Sequence, residues 1–302
     1  MYKANFDPEE LKAYLEKGLG FAIRPLKRLS GGGAVNFRAE RVSDGLSFLV
    51  KCFPPDRKPN YDRLVSNLKT MEGLHAPTRL FETTCPAVFA DYHLLCLEWK
   101  TGEVVHPSML TEGEWSAFLN DYRDFWERMQ HSKITRVWNI SLEEWRSAAF
   151  RLCRGFSGRM LRRALLPLAG QDLRVRNEDL RVIHGDFHLG NVLFRNGRVE
   201  CFMDLENLFP NYGPADIVVY CYSAARAAKG DVKCVLARFA QAVRELPFSA
   251  YEWKMAIFFC ILGTLYNDTK GFRRLGIFSA VKSVSRIRFY ELLHQQVIEA
   301  VR

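Results

Sequence analysis

Asn196-Gly197, set between the apolar runs Val192-Leu193-Phe194 and Val199 to Met203, constrains this chain more than any other feature. A two-residue type I′ turn needs positive φ at both central positions, and Asn-Gly meets that demand best, so a β-hairpin is predicted here. The turn sets the register: Arg195 faces Arg198, which places Asn191 opposite Phe202. Asp204 then falls one diagonal step from Asn191, roughly 7–8 Å between backbones, and both side chains reach one cation. Upstream, Val182-Ile183 reads as a short strand that delivers the polar loop His184-Gly185-Asp186. A carboxylate, an amide and a second carboxylate are thus expected around one point.

Phosphoryl transfer to a hydroxyl uses such a set. His-x-Asp-x-x-x-x-Asn followed by a further Asp supplies a proton acceptor and two oxygen ligands for a hard cation. Here the pattern runs from His184 through Asp186 to Asn191 and on to Asp204, with Gly185 where protein kinases usually carry Arg. With Met203-Asp204-Leu205-Glu206 after the hairpin and Gly213-Pro214-Ala215-Asp216 beyond, the stretch resembles the aminoglycoside phosphotransferase-like family of small-molecule kinases, in the protein-kinase-like superfamily. The resemblance implies an α+β, two-lobed protein-kinase-like fold, with a small antiparallel-sheet N-lobe and a mainly helical C-lobe. It also implies ATP and Mg²⁺ as cofactors, Asp186 as the base, and Asn191 and Asp204 as metal ligands. Asp216 would pair with the catalytic loop and hold His184 in place, a helix-start acid being the plainer account. Glu206 is assigned a supporting part. Between Asp204 and Asp216 there is no room for a long activation loop, which points away from protein substrates.

Earlier in the chain, Asp7-Pro8-Glu9-Glu10 reads as a helix start, with Gly18 or Gly20 as its end. Leu26 to Leu29 and Val35 to Ala39 flank Ser30-Gly31-Gly32-Gly33, a hairpin whose bare backbone can approach phosphates. The strand Leu46 to Phe53 is apolar on both faces around Lys51, and a buried ammonium requires an anionic partner. In a kinase that partner is a nucleotide phosphate, helped by an acid on the next helix. That helix is expected from Tyr61 to Leu74 behind an Asn60 cap; it offers Asn67 where family members place the Glu. The acid therefore stays open between Asp62, Glu72 and neither. Arg79 to Glu82 and Tyr92 to Glu98 read as two more strands, and the segment ending in Glu98-Trp99 resembles the lobe connection whose backbone meets the adenine. Residues 1–98, led by a helix within 1–20, form the expected nucleotide-clamping lobe, and 99–302 the lobe of the catalytic loop and acceptor.

Helix is expected over Glu114 to Gln130, with seven aromatic and aliphatic positions at core spacing, and again over Asp231 to Arg244, Tyr251 to Asp268 and Gly276 onward. Met129-Gln130-His131 resembles a Leu-His family segment, with His131 structural and hydrogen-bonded. The eight cysteines lie singly, with no C-x-x-C pair, which argues for buried thiols in a cytoplasmic protein and against zinc. No signal pattern opens the chain, and the apolar run Met255 to Tyr266 is too short to span a bilayer.

A net charge of +9 suits an anionic partner and suits a polycationic antibiotic poorly. Arginines crowd the segment from Arg146 to Arg181 without interleaved aromatics, which speaks against nucleic acid. The expected enzyme is an ATP-dependent phosphotransferase acting on an alcohol group of a sugar-like or anionic small molecule. The runner-up is a lipopolysaccharide-core or other glycolipid sugar kinase, attached peripherally at the inner face of an anionic membrane. A third reading, a catalytically silent nucleotide-binding module, would show a missing Lys or metal ligand, and all of them are kept.

Overall fold

The computed structural model describes residues 5–29, 34–76, 88–132, 142–152, 158–163, 165, 177–227, 231–269 and 277–301. Chain contacts divide it into two compact units. The first holds residues 1–103, 131–133 and 193–207; the second holds 104–130, 134–192 and 208–302.

The first unit opens with α1 (Pro8–Leu19), capped by Asp7, whose side chain accepts from the Glu9 amide, and closed by Gly20 in the left-handed region. A five-stranded antiparallel sheet follows, from β1 (Lys27–Leu29), β2 (Val35–Glu40), β3 (Ser47–Phe53), β4 (Val88–Phe89) and β5 (Tyr92–Glu98), in the order β1-β2-β3-β5-β4. Strand alternation sends Phe37, Phe48, Val50, Cys52 and Leu94 to one side, where they pack with Leu11 and Leu15 of α1. Lys51 lies in register between Asn36 and Leu95, on a strand that buries both faces. The two-residue strand β4 has no counterpart in the sequence reading, being too short to carry a period. The expected strand Arg79 to Glu82 and the loop Ser30, Gly31, Gly32, Gly33 lie outside the described residues.

The helix after β3 starts earlier than expected. A 3₁₀ turn at Pro55–Arg57 runs into α2 (Lys58–Thr70), so Asn60 sits within the first turn rather than capping it. The cause is Pro59, whose fixed φ preorganises a helix start without a side-chain cap. Helix α2 buries Leu64, Asn67 and Leu68. The hairpin expected at Asn196-Gly197 is present: after β6 (Arg181–Ile183), β7 (Val192–Arg195) and β8 (Arg198–Phe202) pair across Asn196 (φ 52°) and Gly197 (φ 73°), as a type I′ turn requires.

In the second unit, α3 (Glu112–Met129) begins with a reciprocal cap between Thr111 and Glu114, and its buried face carries Trp115, Phe118, Tyr122 and Phe125. It is followed by α4 (Leu142–Arg151) and, after β6, by β9 (Phe209–Asn211), which pairs antiparallel with β6. Helices α5 (Ala215–Ala227), α6 (Val232–Glu245), α7 (Ala250–Asp268) and α8 (Ile277–Val301) complete the unit. The apolar run Met255 to Tyr266 lies in α7, which buries Met255, Ile257, Phe258, Ile261 and Leu265. Among the described residues no helix is long and apolar enough to cross a membrane. Cys52, Cys96, Cys201, Cys221 and Cys260 are buried thiols outside any disulfide. Arg151, Arg159, Arg162, Arg163 and Arg181 are exposed, while Arg154, Arg174 and Arg176 lie outside the described residues.

Candidate active site

The first unit gathers charge around Lys51. Its side chain is 4% exposed, and Nζ donates to Asp204 Oδ1 at 2.8 Å and to both Glu206 oxygens at 3.1 and 3.2 Å. Burial alone would depress the ammonium, but the Glu206 and Asp204 carboxylates outweigh it and hold the pKa above the ordinary lysine value. Glu206 moves upward, because burial and the neighbouring Asp204 exceed the pull of Lys51. Lys51 therefore stays charged, with two carboxylates sharing it.

The backbone explains how two acids reach one lysine. Asp204 takes φ 60° just after β8, and Leu205–Asn207 winds into a 3₁₀ turn. The Asn67 amide on α2 donates to the Leu205 carbonyl at 2.7 Å, fixing the peptide between the two acids. The helix acid left open by the sequence is neither candidate. Asp62 pairs with Lys58 on the helix surface, and Glu72 is exposed. Glu206 is the buried acid that Lys51 holds, a contact no sequence spacing announces. Gly102 approaches Phe194 so closely that a Cβ would stand 2.9 Å from the Phe194 carbonyl, beside the two backbone bonds joining Glu103 to Phe194. Glu98, the last residue of β5, carries an ion pair to Lys100 at 2.8 Å.

The second unit carries the loop His184-Gly185-Asp186. After β6, Gly185 adopts φ 77°, a conformation that side-chain-bearing residues resist, which accounts for Gly rather than Arg there. His184 is fully buried, and its Nδ1 accepts from the Asp186 amide at 3.3 Å. Asp216, in the first turn of α5, accepts from the His184 and Gly185 amides at 2.8 and 3.1 Å. Burial lifts the Asp216 pKa to about 7 against these two amides and the Tyr122 hydroxyl, which lies 3.4 Å away. Phe187 is buried among Phe118, Tyr122, His184 and Tyr220, with ring centroids 5.1 to 6.4 Å apart. The loop is thus pinned from within at His184 and Phe187, while the Asp186 side chain remains 47% exposed, 3.9 Å from His188 Nε2.

Asn191 closes a 3₁₀ turn at Leu189–Asn191 instead of standing in the hairpin ladder, and Asp204 lies beyond its other end. The Asn191 amide nitrogen donates to the Asp186 carbonyl at 2.8 Å, which leaves its Oδ1 as the atom able to meet a cation. The supporting part expected of His131 falls to its neighbour. His131 is exposed, whereas the Gln130 side chain both donates to and accepts from the Val182 backbone at 3.0 Å, clamping β6. Among the described residues no group of three or more His, Cys, Asp or Glu is arranged to hold a metal.

The family model described as Phosphotransferase enzyme family matches residues 26–243. Solved structures share the fold at low identity. Spectinomycin phosphotransferase APH(9)-Ia, in complex with ADP and spectinomycin, is 12% identical with a TM-score of 0.61, over 97% of this chain and 100% of that one. A thermostable mutant of aminoglycoside phosphotransferase APH(4)-Ia, in ternary complex with ADP and hygromycin B, is 15% identical with a TM-score of 0.57, over 94% and 98%. A putative aminoglycoside phosphotransferase from Ralstonia eutropha is 16% identical with a TM-score of 0.57, over 98% and 99%. No curated protein matches the sequence.

Proposed function

Since the chain belongs to the phosphotransferase enzyme family, we propose that it moves the γ-phosphoryl group of ATP to a hydroxyl of a small molecule. The observation that carries this reading is the pinned loop presenting Asp186: buried Asp216 fastens the two residues before it, and the Asp186 side chain is half-exposed.

In the proposed reaction Asp186 accepts the acceptor's hydroxyl proton as the oxygen bonds to the γ-phosphorus and the bridge to ADP breaks. Lys51 neutralises phosphate oxygens, the task for which a buried, permanently charged ammonium is suited. Asn191 Oδ1 and the Asp204 carboxylate, which is 43% exposed, are hard oxygen donors of the kind Mg²⁺ prefers, and we assign the ion to them. When bound, Mg²⁺ would offset the charge that develops on the phosphates. The Ser30–Gly33 loop is assigned to the phosphates, the backbone at Glu98 to the adenine, and residues 1–98 and 99–302 to the two lobes. ADP in the complexes of the structural neighbours supports the nucleotide. The charge of +9 argues for a sugar-like or anionic acceptor over a polycationic one.

The test is ADP formation from Mg-ATP against pooled acceptors: simple sugars, sugar phosphates, amino alcohols and aminoglycosides. Turnover with one of the first two pools is expected; turnover with aminoglycosides alone would overturn the acceptor assignment, and failure to bind Mg-ATP would overturn the proposal.

A further inference from the structure

Helices α5 and α8 enclose a cavity of about 510 Å³, within the roughly 300–1,000 Å³ typical of small-molecule sites. Tyr222 and Arg226 of α5 and Lys282, Arg286, Arg288 and Phe289 of α8 line it, and no carboxylate is among its described lining residues. Within it Tyr222 stacks on buried Tyr290, with centroids 5.0 Å apart, and packs against Phe289 at 6.0 Å.

Among the described residues the four cations of the lining exceed the carboxylates that meet them, Asp268 and, beside Arg288, Glu291. Asp268, 4% exposed behind the cavity, accepts from Arg286 Nη1 at 2.7 Å and lies 3.2 Å from Lys282 Nζ, so one carboxylate serves two of the four. The Arg226 and Arg286 guanidinium carbons both sit over the Tyr222 ring, 5.8 and 5.9 Å from its centroid. Both cations thus stand at the same ring of the cavity lining. Arg286 is held by the ring and by Asp268, which leaves its other N–H donors preoriented for a planar or tetrahedral oxyanion.

Helix α5, which lines the cavity through Tyr222 and Arg226, is tied to the loop that carries Asp186. Ser223, next to Tyr222 in α5, accepts from the Leu189 amide at 2.7 Å, three residues beyond Asp186. We propose that this cavity is the acceptor pocket and that it selects a small hydroxyl compound bearing an anionic group, phosphate or carboxylate, which Arg286 and Arg226 bind. The inference rests on the phosphotransferase reading above and names the substrate class of that site.

Isothermal titration calorimetry of the full chain with Mg-AMP-PNP at saturation tests it, using glucose 6-phosphate, glucuronate, glucose and kanamycin as probes. At least one anionic probe should bind tenfold or more tighter than glucose, and kanamycin should not bind; which anion wins distinguishes phosphate from carboxylate. Arg286→Gln and Arg226→Gln should each weaken that binding by about tenfold, the worth of one charge-assisted hydrogen bond. Arg226 is exposed, so its variant folds even if the Arg286 variant does not. Equal affinity for glucose, no binding of either anion, or anion binding unchanged in the Arg226 variant would overturn the proposal. Arginine-dependent binding without phosphotransfer to any acceptor would instead remove the kinase reading and leave the anion site standing.

Discussion

Lys51 and Glu206 form a buried ion pair at 3.1 Å, and buried Asn67 of α2 bonds the Leu205 carbonyl next to Glu206. The acid that Lys51 holds thus comes from the turn after the hairpin, and the helix residue positions that turn.

Glu206→Gln should therefore raise the KM for ATP and lower turnover at least tenfold, while Asn67→Glu should restore neither in that background. Steady-state kinetics with varied Mg-ATP check both. Lys51→Ala, which leaves two carboxylates without their cation, should cost about 3–5 kcal/mol of stability by urea unfolding.

Asn67→Ala orphans a buried carbonyl between two site residues. A loss of about 1–3 kcal/mol is expected, with a fall in activity larger than that stability change would cause at 25 °C. An activity equal to the wild type would show that the Leu205 peptide needs no tether.

How much of this was legible in the sequence varies with the range of the interaction. The Asn196-Gly197 turn is local chemistry and is legible in the sequence; so is the burial of Lys51 and its need of an anion, because its strand is apolar on both faces. The partner was not readable, since Glu206 comes from 155 residues away and its approach depends on the φ of Asp204. Asp216 was named through a family pattern, whereas Tyr122 beneath it looked like one more core aromatic. Helix α2 was placed late because Asn60 resembles a cap and Pro59 was not weighed as a first-turn residue.

Asp216 makes stability depend on pH. Its carboxyl titrates at about 7 in the fold against an ordinary 3.8, so the folded protein retains a proton that the unfolded chain has lost. Stability should fall as pH rises from about 4 to about 7, by on the order of a few kcal/mol, and level off above. Unfolding of Asp216→Asn across that range should show this slope removed.

Gly185 stands at φ 77° directly before the proposed base. Gly185→Ala should cost about 1–2 kcal/mol, the strain of a left-handed residue with a Cβ, and should reduce turnover more than Mg-ATP affinity, since Asp186 is displaced while Lys51 is untouched. Kinetics and nucleotide titration separate the two effects.

Gly213 packs against Phe248, whose ring meets Trp126 and Trp253 edge-on. A methyl group at 213 would overlap that ring, so Gly213→Ala should lower stability by about 1–3 kcal/mol, measurable as a decrease in Tm.

The central claim, that Asp186 serves phosphoryl transfer to a hydroxyl, is tested most directly by ³¹P NMR of Mg-ATP with a turned-over acceptor, comparing the wild type with Asp186→Asn. A new phosphate monoester resonance is expected with the wild type, and none with the variant although it still binds Mg-ATP. Monoester formation by Asp186→Asn at the wild-type rate would contradict it.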